Sequence, residues 1–213
     1  MNRGRAVATN ENTKLANENT FICGASGSGK SQALKNLSFG KRRILWDPDR
    51  DHIAQTRVYT MVDFINALKD NHKKPVFSVA YSGDPTPERF ELFCRAVFAV
   101  LDGNKRTEVI IEELADCVET IGKAKPAAGQ LIRRARKYGG VLFAITQRPQ
   151  EVPKTIFTQC GRFYIGRQQG GDVTKMAKFL GVAESGIRGL EGLQFWKMAD
   201  GKEPSMVKFT FIK

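Results

Sequence analysis

Cysteine is scarce in this chain and never closely spaced. Cys23, Cys94, Cys117 and Cys160 form no C-x-x-C, and the two histidines, His52 and His72, lie far from them. A zinc site is therefore not expected. Cys23, Cys94 and Cys117 fall in apolar stretches and read as reduced core thiols of a cytosolic protein. No apolar run approaches the length of a membrane span. The opening MNRGRAVATNENTKLANENT lacks the apolar centre of a signal peptide. Its Asn, Thr and charge content reads as a flexible arm over residues 1–17. A soluble protein is expected, reaching membranes only through partners. Internal repeats, low-complexity tracts and an interdomain linker are all missing, so residues 18–213 are read as one domain, large enough for a full core. Nothing resembles a helix-turn-helix, a zinc finger or an aromatic RNA-binding sheet, which argues against base-specific reading. Acids are absent between Lys123 and Gly139, where six basic residues stand. The chain carries a net charge of +12. Such an excess points to a polyanionic partner.

What is present begins with FICGASGSGKSQ, residues 21–32. Gly24, Ala25, Ser26, Gly27, Ser28, Gly29, Lys30 and Ser31 fill G-x-x-x-x-G-K-[ST] at every fixed position. An apolar, partly β-branched strand precedes the motif and a helix can follow it, which is the context the motif requires. Small residues let the backbone wrap an anion, and the helix adds its positive N-terminal end. The expected ligands are ATP, held by residues 24–32 including Gln32, and Mg²⁺ on the Ser31 hydroxyl. Lys30 is expected at the β- and γ-phosphates. The loop alone does not name the reaction, since kinases, GTPases and motors share it.

Strand and helix patterns alternate along the rest of the chain. Strands are expected at residues 20–23, 42–47, 74–81, 107–114, 141–147 and 161–166, and helices at 30–37, 61–70, 87–102, 127–139 and 172–181. A hairpin turning at Asp200-Gly201 is expected over 194–212. This order implies an α/β fold, a mainly parallel central sheet flanked by helices with a C-terminal β-hairpin. Ligands of such sheets bind at the carboxyl ends of the strands.

Two of those ends carry chemistry. Val109-Ile110-Ile111 runs into Glu112-Glu113, and strand neighbours point in different directions. Glu112 is assigned to the metal shell and Glu113 to the attacking water, because hydrolysis needs a carboxylate for each. The fifth strand ends Thr146-Gln147-Arg148-Pro149, where the Gln147 amide could bond the γ-phosphate or the water. The competing readings are two solvated glutamates opening a helix and a polar strand end stopped by proline.

GASGSGKS, WDPD, VIIEELAD and AITQRP occur in that order at plausible intervals. This pattern resembles the FtsK–HerA superfamily of P-loop, RecA-like DNA-pumping ATPases over roughly residues 18–200. The family typically has DE-F-A-D where this chain has Glu112-Glu113-Leu114-Ala115-Asp116, so Glu112 departs from the usual aspartate. Ala135-Arg136-Lys137-Tyr138-Gly139 matches the family's G-R-K-Y-G, which implies that Arg136 enters a neighbour's site as a finger. Arg148, Arg162 and Arg167 are the reserve candidates. Lys123, Lys125, Arg133 and Arg134 are read as phosphate contacts to DNA. Arg133, Arg136 and Lys137 are expected to share a helix face.

Within the superfamily, the compact form resembles the genome-packaging ATPases of tailless, icosahedral, internal-membrane viruses. That resemblance implies an ATPase in a homo-oligomeric ring, expected to be hexameric. It would act on double-stranded DNA without sequence preference, with capsid-vertex or membrane proteins as further partners. It would be found at the virion's packaging vertex and in the host cytoplasm. A mobile-element or conjugation-type translocase is the near alternative. A small-molecule kinase and a nucleotide switch with little turnover are the distant ones.

Overall fold

The computed structural model describes residues 7–118, 124–199 and 202–212. Lys123 and the expected Asp200-Gly201 turn lie outside the described residues. The strands are β1 (Thr20–Cys23), β2 (Arg42–Trp46), β3 (Thr56–Val58), β4 (Phe77–Tyr81), β5 (Thr107–Ile111), β6 (Gly140–Thr146), β7 (Arg162–Ile165), β8 (Gln194–Ala199) and β9 (Ser205–Lys208). They form one sheet in the order β3-β4-β2-β5-β6-β1-β7-β8-β9. The first seven in that order run parallel, and β8 and β9 close the edge as an antiparallel hairpin. The helices are α1 (Lys30–Leu37), α2 (Met61–Asn71), α3 (Pro87–Val100), α4 (Pro126–Arg134), α5 (Lys154–Gln159), α6 (Gly171–Leu180) and α7 (Glu184–Arg188).

The strands are apolar on both faces because both are covered. Phe21, Cys23, Ile44, Trp46, Val109, Ile111, Leu142 and Ala144 pack with α2 to α7 on one face. Their strand neighbours Ile22, Leu45, Ile110, Phe143 and Ile145 pack with Ala33 and Leu34 of α1, Phe195 and Phe209 on the other. The larger core is aromatic at its centre. Trp46 stacks on Tyr81 with centroids 4.9 Å apart and takes Phe90 and Phe93 edge-on.

Several expectations are corrected. The strand expected to run to Leu114 stops at Ile111, because Glu113 adopts a left-handed conformation at φ 42° and a short 3₁₀ turn follows. The helix expected over 127–139 is α4 followed by a 3₁₀ turn at Ala135–Tyr138. The single helix face expected for Arg133, Arg136 and Lys137 is thereby split, with Arg133 in α4 and Arg136 and Lys137 in the 3₁₀ turn. The hairpin ends at Lys208, not 212. β3, α5 and α7 were not expected.

The stretch read as a flexible arm is tied down between Thr9 and Asn17. The Thr9 N–H donates to Leu101 O at 3.0 Å, and Asn12 N–H donates to Lys137 O at 2.7 Å. Asn10 and Asn17 side chains donate to Asp102 and to Gln159 O. These partners stand as far as 92 and 142 positions away, which local composition does not reveal.

All four cysteines are buried and none forms a disulfide. Burial pushes the thiols of Cys23, Cys94 and Cys117 up, so they are unreactive packing groups. Among the described residues, no helix is long and apolar enough to cross a membrane.

Candidate active site

β1 is flanked by β6 on one side and β7 on the other, so the loop after Cys23 opens between the ends of those strands. Gly24 N–H donates to Thr146 O and Ala25 N–H to Arg167 O, which ties the loop to both neighbours. Gly27 sits at φ 74°, and a Cβ built there meets nothing within 4 Å. Gly29 caps α1 at φ 98°, and a Cβ there would lie 2.7 Å from the Leu193 side chain. Side chains at these positions would be strained, and at Gly29 they would also collide. Among the described residues, neither the Gly27 nor the Gly29 N–H has an acceptor. The first amides of α1 are unpaired by helix geometry. Together they make an anion cradle at a helix N-terminus. Lys30 Nζ donates to Gly24 O at 3.0 Å, which holds the amine across the loop.

The cradle forms one wall of a cavity of about 450 Å³. Ser26, Gly27, Gly29, Lys30, Ser31 and Gln32 line it together with Asp51, Glu112, Glu113 and Gln147. The expected site residues following β1, β5 and β6 therefore meet in one place. An open cradle, a lysine and a serine facing carboxylates fit a nucleotide triphosphate. Ser31 and Glu112 would hold Mg²⁺, which supplies charge neutralisation between phosphates. Among the described residues, no group of three or more His, Cys, Asp or Glu side chains is placed to hold a metal.

The two glutamates do diverge, though by a backbone break and not by strand pleat. Glu112 is 4 % exposed and its Oε1 lies 2.5 Å from His52 Nε2. Burial raises its carboxyl above the usual range, against the pull of the His52 hydrogen bond. Glu113, turned by its left-handed backbone, points to the end of β6. Its Oε2 accepts from Gln147 N–H at 3.2 Å and its Oε1 from the Gln147 amide at 2.9 Å. Glu113 and Gln147 are thus a joined pair. Each carboxylate oxygen keeps a lone pair for a water.

His52 was not anticipated, and the WDPD stretch explains its position. Asp47 is fully buried at the end of β2. It accepts from Asp51 N–H at 2.8 Å, His52 N–H at 3.3 Å and the Arg57 guanidinium at 2.8 Å. These bonds wrap residues 48–52 around its carboxylate and lay the His52 ring on Glu112.

No protein-family model matches the chain. Protein P9 of Pseudoalteromonas phage PM2 is 38 % identical over 207 residues, covering 93 % of both chains. The chain belongs to the P9 family. The P9-family fold is shared with the genome-packaging NTPase B204 from Sulfolobus turreted icosahedral virus 2, solved in complex with AMPPCP. The TM-score is 0.73 at 16 % identity, covering 92 % of this chain and 99 % of that one. It is also shared with the bacterial conjugative coupling protein TrwBdeltaN70, at TM-score 0.61 and 11 % identity, covering 100 % and 90 %. This is the P-loop architecture that the FtsK–HerA resemblance implied.

The arginines of this P9-family chain lie on two rims. Arg136 precedes β6 and donates to Leu15 O at 2.9 Å, beside Arg106 and Glu18. The length of β6, about 20 Å for seven residues, separates it from Gln147. Arg136 therefore cannot reach its own phosphate loop. Arg162 is on that same far rim and pairs with Glu18. Arg148 and Arg167 stand on the near rim, where Arg148 pairs with Asp116 and Glu151. Arg134 lies over the Phe98 and Tyr138 rings, which gives it a packing role besides its charge. Arg133 is exposed at the end of α4, and Lys125 is the residue that caps its start.

His52→Ala would leave a buried carboxylate without its hydrogen-bond partner. A destabilisation of about 1–3 kcal/mol is expected, or several degrees in a thermal scan. An unchanged unfolding midpoint would show that the contact carries no weight.

Proposed function

We propose that this protein hydrolyses ATP to move DNA, as a homo-oligomeric ring that drives a viral genome into a preformed capsid. The observation that carries the reading is the Glu113–Gln147 pair facing the phosphate cradle across one cavity. A carboxylate held by two N–H groups from the neighbouring strand end is fixed in position to orient a water and take its proton. Lys30 and the loop amides hold the triphosphate, and Gln147 aligns Glu113. Loss of the terminal phosphate would be felt first by this pair and passed to the adjacent Arg148, whose ion pairs bridge to Asp116 and Glu151.

The net charge of +12 supports DNA as the polyanion that couples to turnover. The 16 % identical neighbour B204, which is described as a genome-packaging NTPase, supports the viral setting. The likeness to a conjugative coupling protein supports a second reading, a translocase of a mobile element. A virion lacking the protein separates them. Packaging requires empty capsids in its absence, whereas a mobile-element translocase leaves capsids filled.

The position of Arg136 makes the ring testable. It lies on the rim away from its own cradle, so any part it takes in catalysis would be in a neighbouring subunit's site. Arg136→Ala and Lys30→Ala proteins should each be inactive, and mixing them should restore part of the phosphate release, because each supplies the half-site the other lacks. An inactive mixture would remove Arg136 from the shared site. Arg148 would then be the next residue to test.

A further inference from the structure

We propose that Phe211, with Leu193 beside it, is the stacking platform for the nucleobase, an inference that rests on the nucleotide reading above. The sheet order places Glu112, Glu113 and Gln147, at the ends of β5 and β6, on one side of β1. Leu193 immediately precedes β8, on the opposite side of β1. Both groups line the same cavity, with the phosphate cradle between them. A triphosphate whose terminal phosphate faces Glu113 must extend its nucleoside the other way. There it meets Gly192, Leu193 and Phe211.

This wall is attached to the cradle itself. Leu193 N–H donates to Ser28 O at 3.0 Å, and Leu193 O accepts from Phe209 N–H at 2.9 Å. Both backbone groups of Leu193 are consumed, so it offers the ligand an apolar side chain. Phe209 is buried against Phe195 and Tyr164. From there the chain leaves the hairpin and lies along α1. Asn36 donates to Thr210 O at 2.9 Å and accepts from its hydroxyl at 3.0 Å. Ile212 N–H donates to Gln32 Oε1 at 2.8 Å, and Lys35 Nζ donates to Ile212 O at 3.2 Å. Phe211 is pinned on both sides, yet the residue is 69 % exposed at the cavity rim.

An exposed phenylalanine by itself needs no explanation. One fixed by hydrogen bonds to the helix that follows the cradle, and presented to the open end of the same cavity, has the properties of a base platform. Flat π-faces stack on any base without needing directional partners. The anchoring also gives Gln32 a purpose distinct from phosphate contact, since its side chain is engaged by Ile212.

The test is calorimetric titration of the full chain with AMPPCP and, separately, with inorganic tripolyphosphate, both with Mg²⁺. Phe211→Ala should weaken AMPPCP about tenfold and leave tripolyphosphate within about twofold of wild type. Phe211→Trp should keep AMPPCP affinity, and its added indole fluorescence should change when AMPPCP binds but not when tripolyphosphate binds. Unchanged AMPPCP affinity in the Phe211→Ala protein would overturn the assignment. So would an equal loss for both ligands, which would mean a disturbed cradle. Wild-type protein that bound neither ligand would overturn the nucleotide reading together with this one.

Discussion

Glu113→Gln should bind ATP as tightly as wild type and turn it over at least ~10²-fold more slowly, since general-base assistance contributes about 10²- to 10⁴-fold. The amide is the same size and can still meet Gln147, so the fold and the cradle should be undisturbed. What it loses is the capacity to take a proton. Glu113 is only partly buried, and its sole side-chain partner among the described residues is Gln147. No structural cost of the substitution is expected to obscure the kinetic one. Nucleotide binding by titration and phosphate release under single-turnover conditions separate the two effects. A variant that released phosphate at the wild-type rate would move the base elsewhere, with Glu112 and Asp51 the other carboxylates of the cavity.

Lys30→Ala should act on binding first. Its amine spans the loop to Gly24 O and stands at the cavity. A hydrogen bond to a charged group is worth about 1.5–3 kcal/mol. ATP affinity should therefore fall about 10- to 100-fold. The side chain is partly exposed and outside both core clusters, so the unfolding midpoint should stay near wild type. An affinity within about twofold of wild type would mean that the loop amides hold the phosphates without the lysine.

The parts that were legible in the sequence are those whose causes are local. The strand, glycines, lysine and helix from Thr20 to Leu37 lie in one uninterrupted stretch, and every residue type there answers to a nearby need. The alternation of apolar strands with helices fixed the class of sheet in the same way. The elements that escaped were short. β3 has three residues, α7 has five and α5 has six, too few to show a period. The break after Ile111 was hidden because Leu114 restores apolar character after the two glutamates, and only the backbone at Glu113 reveals the turn.

The same distinction divides the site. Glu112, Glu113 and Gln147 were legible as candidates because each follows an apolar strand. His52 reaches Glu112 across 60 positions, and Ile212 reaches Gln32 across 180, so neither pairing leaves a trace in local pattern. The available signal was WDPDRDH, an acid-rich loop at a strand end that needed some internal partner. The basic stretch before β6 was visible as charge. Its division into a packing arginine, Arg134, and a far-rim arginine, Arg136, shows only in their contacts, to the Phe98 and Tyr138 rings and to Leu15 O.

The central claim is that ATP turnover and DNA are coupled in this chain. The measurement that tests it most directly is phosphate release by the purified protein, with and without double-stranded DNA, across a salt series. The account predicts strong stimulation that fades as salt rises, because contacts to the phosphate backbone release counterions. Turnover that ignores DNA at every salt concentration would contradict it.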